Sequence, residues 1–594
     1  MALWSRNIGK SKGLQQQKLG GARAALFVYA MEGLENMAFV ANAVSLVTYF
    51  NGYMNFGLAK SATTLTNFMG ASFMLALLGG FISDTYLSRF KTCLLFGFIE
   101  LAGYVLLTIQ AHFDFLRPTP CTPLAELNGG QCEAADKGQL AIFFSGLYLV
   151  ALGTSGVKAG LPSLGADQFD KDDPKEASHL SSFFNWFLFS LSLGAIIGVT
   201  FVVWISDNRG WDWGFGVCTV ALFFAIVFVY MGKSFYRNNV PGGSPVLRIL
   251  QVFVAAARNW RLPVPESDHE LHELNDKEVG ISKTEILRRT NQFRFLDKAA
   301  IIENGSSMEG PWRLCTVTQV EETKIIIRML PIIVSTIFMN TCLAQLQTFS
   351  IQQGVTMNRD LLGFSVPAPS LPVVPLLCLI ILIPIYDRIV VPLARKITGN
   401  PTGIRRLQRI GIGLVLSAVS MGIAGLVETR RKRVAIENNM VDSPAPLPMN
   451  VFWLGFQYAV FGAADMFTLV GLLEFFYSES SEGMKSLGTS ISWCSLAFGY
   501  FVSSVVVEVV NKVSGGWLAS NNLNKDKLNY FYWLLAGISV INFGFYLICA
   551  SWYKYKEVEV KQILDNISED DFGRKDLNKM KIVNQPGSSS SRIN

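Results

Sequence analysis

The sequence predicts an all-α membrane protein with twelve transmembrane helices in two six-helix halves. Half of its 594 residues are hydrophobic and only 16% are charged. The apolar residues fall in repeated runs of about 20, which is the length that a helix needs to cross a bilayer. A long polar stretch separates the sixth run from the seventh. Two similar halves joined by a hydrophilic linker are typical of secondary transporters.

The twelve runs divide the chain into five parts. They lie near residues 24–50, 61–83, 92–111, 139–161, 181–205, 214–236, 324–352, 370–396, 406–428, 449–476, 485–511 and 528–552. The parts are an N-terminal tail (1–22), a first six-helix bundle (23–236), a linker (237–323), a second bundle (324–552) and a C-terminal tail (553–594). An even number of crossings predicts both tails and the linker on one side, the cytosol.

Basic residues support this topology with one exception. Arg6, Lys10, Lys12 and Lys18 precede the first span without an acid, as expected of a cytosolic segment. The run 430–433, all Arg or Lys, follows the ninth span and would lie outside. We keep the topology because moving this run inside would require gaining or losing a span.

The linker begins with a predicted amphipathic helix. In SPVLRILQVFVAAARNW, apolar residues recur at helical spacing, namely Leu247, Leu250, Phe253, Val254 and Ala257. Such a helix packs against the membrane surface or the base of the bundle.

Two acids interrupt the first span, AALFVYAMEGLENMAFVANAVSLVTYF. Glu32 and Glu35 are three residues apart, and Asn36 lies four residues after Glu32, so all three share one helical face. A charged side chain at the centre of a membrane helix costs about 2.5–3.5 kcal/mol on insertion scales. The face must therefore meet a wet cavity or a buried partner, which predicts the working face of a transporter.

The fourth span contains one lysine, Lys158. An intramembrane lysine requires a counter-charge, and Glu32 or Glu35 is the natural one. Protonation of one acid would then release Lys158 to bind a substrate anion. The alternative is a purely structural ion pair between helices.

The turn after the second span, GGFISDTYLSRFKT, combines an acid with two bases. Gly80, Asp84, Arg89 and Lys91 approximate the Gly-x-x-x-Asp-x-x-x-Gly-Arg-x-Lys turn of the major facilitator superfamily, with Ser88 replacing the second glycine. These charges predict an ion-pair latch that forms in one conformation only. Ordinary juxtamembrane charge is the alternative.

Two further side-chain features are candidate modification sites. Cys121 and Cys132 lie in one polar loop and could form a disulfide if that loop faces outside. Thr92 follows Arg89 and Lys91, which is a basic context suited to a kinase.

GADQFD contains Gly165, Asp167, Gln168, Phe169 and Asp170, and it is followed by FFNWFLFS at 183–190. Together they resemble the signature of the proton-dependent oligopeptide transporter family. Nearly the whole chain resembles the plant branch of that family, which handles nitrate, peptides and carboxylated hormones. It looks most like the subgroup associated with abscisic acid and gibberellin import.

The resemblance implies a major facilitator fold with a central cavity between the halves. It assigns proton coupling to Glu32 and Glu35 and substrate binding to Lys158. Asp465 matches the family's tenth-helix acid and is one methylene shorter than the usual glutamate. Asn36 stands where the family has a base.

These departures favour a larger substrate over a small hydrated anion. Asn36 carries no charge, so Lys158 is the cavity's remaining cation. At the position where nitrate-handling relatives can have a histidine, this chain has Leu343. A mostly apolar carboxylate can still bind through one charge contact and much hydrophobic surface.

We therefore expect a proton-coupled importer of a small carboxylated solute, such as abscisic acid or gibberellin, in the plasma membrane. Its substrate site would include Lys158, Asp465 and Asn36. One alternative is a nitrate or peptide transporter. Another is a transport-deficient sensor, suggested by Asn36 and by Ser481, where relatives often have proline. The expected partners are the solute, protons and the lipid bilayer; the oligomeric state is left open.

Soluble-enzyme chemistry finds no support in the motifs. His269 and His272 are three residues apart and lack the four-residue spacing of a zinc helix. Gly411-Ile412-Gly413 lacks the strand and third glycine of a nucleotide loop. We expect no enzyme activity, metal, cofactor or nucleic-acid partner.

Overall fold

The computed structural model describes most of the chain. The described residues are 19–56, 58–119, 135–170, 174–237, 243–264, 271–273, 287–302, 310–361, 364–365, 370–398, 403–443, 445–518 and 523–556. Cys121 and Cys132 lie outside these residues, so their pairing stays a prediction.

Among the described residues, twelve helices are long and apolar enough to cross a membrane, as predicted. The uninterrupted ones are the first (Gly21–Gly52), third (Arg89–His112), fourth (Lys137–Ala166), sixth (Trp211–Met231), seventh (Val317–Val355), ninth (Arg406–Glu437), tenth (Leu454–Glu479), eleventh (Lys485–Ser514) and twelfth (Leu528–Trp552). Short strands pair in parallel (Met357–Asn358 with Leu447–Asn450) and antiparallel (Asp360–Leu361 with Phe364–Ser365).

Three spanning helices are interrupted. The second consists of Leu58–Met74 and Ala76–Thr85. The fifth consists of Pro174–Ile197, a π-helical turn at Gly198–Val202, and Val203–Arg209. The eighth consists of Val373–Ile385, a π-helical turn at Tyr386–Val390, and Val391–Thr398. Single π turns inside α-helices are frequent at functional sites.

Small residues let the helices of the first half approach closely. A Cβ on Gly156 would lie 2.0 Å from the Phe96 ring, and a Cβ on Gly153 would lie 2.3 Å from Cβ of Glu100. Glycines of this kind allow close backbone contact in membrane bundles. The third and fourth helices therefore pack tightly against each other.

The linker contains the predicted helix, at Pro245–Arg258. Its buried face includes Val252 and Ala255, whereas Leu247, Leu250 and Phe253 are 41–50% exposed. The apolar residues singled out from the sequence thus face away from the bundle. Of the two predicted placements, this face suits the membrane surface. We call the end of the bundle that carries this helix the linker face.

A buried ion cluster attaches the linker to the seventh helix. Lys324 Nζ lies 2.5 Å from a carboxylate oxygen of Asp297 and 2.8 Å from one of Glu321. Arg289 pairs with Asp297 at 3.0 Å, and Arg328 approaches Glu321 at 3.5 Å. The linker segment around Asp297 is therefore held by the second half.

The basic run after the ninth span, which breaks the charge rule, is part of the fold. The ninth helix continues to Glu437. Arg431 is completely buried and donates to both carboxylate oxygens of Glu428, each at 2.7 Å. Lys432 donates to the Asp526 carbonyl. The pairing of Arg431 and Lys432 within the protein explains how these two charges can occur away from the linker face.

Candidate proton and substrate site

Charged residues of the first and fourth helices meet inside the first half. Lys158 Nζ lies 3.0 Å from Glu35 Oε2 and 3.9 Å from Glu32 Oε1. Both carboxylates are completely buried and Lys158 is 2% exposed. The structure therefore brings together the three groups that charge and spacing had singled out. We call them, with Glu100 described below, the central cluster.

Asn36 belongs to the same contact network, although it brings no charge. Its Oδ1 accepts from Lys158 Nζ at 3.3 Å, and its Nδ2 donates to the Leu191 carbonyl of the fifth helix at 2.8 Å. An amide offers both a donor and an acceptor. Asn36 therefore orients Lys158 and connects the first and fifth helices.

Two aromatic rings enclose the lysine. Its Nζ lies 5.1 Å from the centre of the Phe39 ring and 5.4 Å from the Trp493 ring. Trp493 comes from the eleventh helix, in the second half, and its Nε1 donates to the Lys158 carbonyl at 3.1 Å. Cation–π contacts stabilise a desolvated ammonium. The lysine thus lies where the two halves meet.

The third helix adds an acid that sequence reasoning missed. Glu100 is completely buried, and its Oε1 accepts from Thr154 Oγ1 at 2.9 Å. Within the described residues, no hydrogen-bond partner reaches either oxygen of Glu32, Oε1 of Glu35 or Oε2 of Glu100. An acid in the middle of an apolar run was a sufficient signal in the sequence, but no family motif pointed to it.

Asp465 lies in the tenth helix, in the second half, and does not join the central cluster. It is partly exposed, and no hydrogen bond or ion pair connects it with Lys158 within the described part of the chain. In the eleventh helix, the Tyr500 hydroxyl donates to Gln347 at 2.7 Å. Asp465, Tyr500 and Gln347 give the second half a polar surface distinct from the acids of the first half.

The predicted latch is closed at the linker face. Asp84 accepts from the backbone N–H of Leu487 at 2.7 Å and of Ser486 at 3.3 Å. These groups lie in the first turn of the eleventh helix, where a carboxylate is favoured by the helix dipole. Arg89 lies 3.6 Å from Asp84 and donates to Ser486 Oγ at 3.0 Å. A Cβ on Gly80 would lie 2.3 Å from Ser490 Oγ.

The signature residue Asp167 extends this latch. It pairs closely with Arg89 and accepts from Tyr477 Oη at 2.6 Å. Lys485 Nζ lies 3.5 Å away. Asp167 and Arg89 belong to the first half, whereas Tyr477 and Lys485 belong to the second. The signature aspartate therefore holds the two halves together at the linker face.

The other signature residues organise the first half. Gln168 donates to the Leu164 carbonyl at 2.7 Å and accepts from the Arg237 backbone at 2.8 Å. A Cβ on Gly165 would lie 2.3 Å from the Phe183 ring, against which Phe169 also packs. The Asp170 backbone donates to Glu176 at 2.6 Å. These contacts are structural.

A second inter-half contact, which the sequence did not reveal, centres on Asp387 in the π turn of the eighth helix. Its carboxylate accepts from Ser182 at 2.7 Å, from Asn185 at 2.8 Å and from Trp186 at 3.2 Å. Asn185 in turn accepts from Arg409 at 2.6 Å. Three donors of the fifth helix thus surround one acid of the second half.

The remaining residues of the predicted latch differ in accessibility. Lys91 is exposed. Thr92 is completely buried, and its hydroxyl donates to the Ser88 carbonyl at 3.3 Å. A kinase cannot reach Thr92 in this conformation, so its modification stays a prediction that requires the linker face to open.

Within the described residues, twelve helices long and apolar enough to cross a membrane form two halves, and a buried ion cluster lies in the first; this is the architecture of a transporter of the major facilitator type. A family model described as the POT family matches residues 90–523. The chain belongs to this family.

Curated relatives from Arabidopsis thaliana match nearly the whole chain. It is 46% identical to Protein NRT1/PTR FAMILY 4.5 over 92% of this chain and 96% of that protein. It is 45% identical to Protein NRT1/PTR FAMILY 4.6 over 90% of this chain and 94% of that protein. These matches confirm the expectation of a multi-pass transporter of the nitrate and peptide transporter family.

Solved structures confirm the fold. The POT family transporter PepTSo aligns with a TM-score of 0.57 over 90% of this chain and 98% of that chain, at 18% identity. A peptide transporter POT in complex with sulfate aligns with a TM-score of 0.57 over 91% and 98%, at 14% identity.

Proposed function

We propose that this protein is a secondary active transporter that imports a small carboxylated organic solute together with protons. The observation that carries the proposal is the 3.0 Å contact between Lys158 and Glu35, buried beside Trp493 of the opposite half. A buried ammonium bound to a carboxylate is released when that carboxylate takes a proton. The same contact can therefore exchange a proton for a solute anion.

The closed latch fits the conformation that loads from outside. With the linker face in the cytosol of a cell's plasma membrane, Asp84, Asp167 and Asp387 seal the cytosolic side. Solute and protons then reach the cluster from the extracellular side. Rocking of the halves around the cluster would open the linker face, as in other carriers built from two repeats.

The transport step begins when Glu35 or Glu32 is protonated. Lys158 loses its counter-charge and turns to the carboxylate of the solute, whose apolar body lies between Trp493 and the wall formed by Asp465 and Tyr500. When the solute leaves towards the cytosol, the proton leaves too, and Lys158 pairs again with Glu35. Proton and solute are coupled because one ammonium serves both.

The neutral side chains around Lys158 favour an organic carboxylate. Asn36, which contacts Lys158, supplies no positive charge, and Leu343 stands where nitrate-handling relatives can have a histidine, so a hydrated inorganic anion would find fewer charged donors. Abscisic acid and gibberellin each combine a carboxylate with a large apolar frame and are the first candidates. Dipeptides and nitrate are the second, because the family includes peptide transporters among its solved members.

Uptake into liposomes containing the purified full-length protein tests the proposal. Labelled abscisic acid, gibberellin, nitrate and a dipeptide are offered at two external pH values. We expect uptake of a carboxylated hormone to increase as external pH falls, to be abolished by Lys158→Ala, and to persist in a control variant of the exposed Lys233, Lys233→Ala.

Two results would overturn this function. Uptake that is independent of pH and intact in Lys158→Ala would show an uncoupled facilitator. Tight binding of one of these solutes without accumulation would show a sensor.

A further inference from the structure

Glu100 is an ionisable group in the first half to which the transport step gives no role. Its carboxyl is completely buried and makes one hydrogen bond, from Thr154 Oγ1 at 2.9 Å. The second oxygen has no partner within the described residues. Because a Cβ on Gly153 would collide with Glu100, the glycine is what lets this acid sit directly against the fourth helix.

Thr154 lies between Glu100 and the coupling acid. It precedes Lys158 by four residues, so both project from the same face of the fourth helix. Its hydroxyl bonds Glu100 at 2.9 Å, and one turn further along the same face Lys158 contacts Glu35 at 3.0 Å. A hydroxyl carries one donor and two acceptor positions, so it can accept from one acid while it donates to the other.

We propose that Glu100 is a proton-binding residue that delivers the coupling proton to Glu35 through the hydroxyl of Thr154. The inference rests on the proposed function in one respect, namely that the coupling proton ends on Glu35. In the step, the O–H bond of protonated Glu100 breaks and its proton moves to Thr154 Oγ1. The original hydroxyl proton of Thr154 moves to Glu35, so Glu100 becomes the carboxylate and the threonine is unchanged.

The charges around Glu100 favour this role. It faces Glu32 and Glu35 of the first helix and Lys158 of the fourth, with Tyr104 on its own helix and Cys218 on the sixth as further titratable neighbours. Three ionised acids beside one ammonium would leave a net negative charge in a buried site, which is strongly unfavourable. At least one acid must therefore hold a proton while Lys158 is engaged.

Buried polar residues continue from Glu100 towards the end of the bundle opposite the linker face. Asn42 Nδ2 donates to Tyr104 Oη at 3.1 Å, one turn beyond Glu100 on the third helix. Further along, Tyr49 Oη donates to Gln110 at 2.5 Å. All four are at most 5% exposed. These polar groups lie inside the first half, between Glu100 and that end of the bundle.

The experiment compares Glu100→Gln, Thr154→Val and Thr154→Ser in full-length protein, with the exposed acid Glu508 as control (Glu508→Gln). The first readout needs no solute: infrared difference spectra between acidic and alkaline buffer detect the C=O stretch of protonated carboxyls. We expect Glu100→Gln to lose a carboxyl band that wild type and Glu508→Gln show. Thr154→Val should shift that band because the hydrogen bond is lost.

The second readout compares uptake driven by a proton gradient with exchange of labelled abscisic acid or gibberellin at equal pH. Glu100→Gln and Thr154→Val should slow gradient-driven uptake by about a hundredfold, which is within the range for losing a positioned proton donor. Exchange should change little, and Thr154→Ser should retain uptake because it keeps the hydroxyl.

Several results would overturn the relay. They are an unchanged infrared spectrum in Glu100→Gln, unchanged gradient-driven uptake in Thr154→Val, and equal losses in Thr154→Val and Thr154→Ser. Equal loss of exchange and gradient-driven uptake would show a structural role instead. If wild-type protein accumulates none of the solutes, the proposed function fails, and the infrared spectra alone decide whether Glu100 binds a proton.

Discussion

The two halves of the molecule bury acidic residues in opposite ways. In the second half, Glu428 accepts two hydrogen bonds from Arg431 at 2.7 Å and a third from Gln353 at 2.6 Å. In the first half, neither oxygen of Glu32 has a hydrogen-bond partner within the described residues, and Lys158 approaches it only to 3.9 Å. Both acids are completely buried.

The difference shows which buried acids can change their protonation state. Arg431 also donates to Thr356 and Asn524, so its pair with Glu428 is satisfied on both sides. A fully satisfied network fixes one geometry, whereas a polar group without partners is unfavourable in low dielectric. Protonation removes the charge of Glu32 at no loss of hydrogen bonds. The central cluster is thus suited to exchange protons, and the Glu428–Arg431 pair is suited to keep its shape.

Asp387 is an intermediate case, because its three donors come from the other half. Its charge is satisfied only while the linker face is closed. Substitutions should therefore differ in effect, from the largest at the Glu428–Arg431 pair to the smallest at Asn36 beside Lys158.

Arg431→Ala should have the largest effect on stability and little effect on coupling. It leaves Glu428 buried without its cation, and breaking a buried ion pair costs about 3–5 kcal/mol. Thermal unfolding in detergent measures the loss, and the exposed Arg433 supplies the control, Arg433→Ala. If Arg431→Ala flattened the pH dependence of uptake without lowering stability, the contrast between the halves would be wrong.

Asp387→Asn should weaken closure of the linker face. Hydrogen bonds to a charged group contribute about 1.5–3 kcal/mol, and these bonds exist only in the closed conformation. Spin labels at the exposed positions Lys91 and Lys396 should show longer distances than in the parent protein. The exposed Asp360 provides the matched change, Asp360→Asn, which should leave the distances unaltered. Unaltered distances in Asp387→Asn would contradict the assignment.

Gly80→Ala should open the same face by steric overlap. Its Cβ would lie 2.3 Å from Ser490 Oγ and 2.7 Å from the Ser486 carbonyl, and overpacking of this kind costs about 1–3 kcal/mol. A cysteine at Ser163, which is buried against Thr489, should then react faster with a water-soluble maleimide. The control is Gly216→Ala, whose Cβ would meet nothing closer than 4.0 Å. In this variant the cysteine at position 163 should react at the parental rate.

Asn36→Ala should have the smallest effect. It removes a neutral acceptor from Lys158, which keeps its contact with Glu35, and a bond to the Leu191 carbonyl that contributes about 1 kcal/mol. Uptake at the two pH values should keep its acid stimulation, as should uptake by the exposed-site control Asn208→Ala. A loss as complete as that expected for Lys158→Ala would give Asn36 a larger part than its contacts suggest.

The twelve helices and the contact of Lys158 with Glu35 could be predicted because insertion into lipid imposes strict rules. Apolar length identifies each span, and an intramembrane charge requires a partner on another helix. The same rule applied to Glu100 in the third span and Asp387 in the eighth would have identified both. Neither residue belongs to one of the family motifs.

Other features depended on packing that spacing cannot supply. Asp167 and Arg89 are far apart in sequence, and their meeting with Lys485 requires the relative position of both halves. The separation of Asp465 from the central cluster depends on the width of the space between the halves. The periodicity and charge pattern of a sequence describe one helix at a time. They therefore do not predict distances between residues of different halves.

The length of the seventh helix has a consequence for regulation. Its 39 residues span about 58 Å at 1.5 Å per residue, whereas the hydrocarbon core is about 30 Å thick. The end that projects from the bilayer carries Lys324 and Glu321, to which Asp297 of the linker is fixed. The linker segment around Asp297 must therefore move with the second half. A cytosolic protein that bound this part of the linker would slow every transport cycle without contacting the solute.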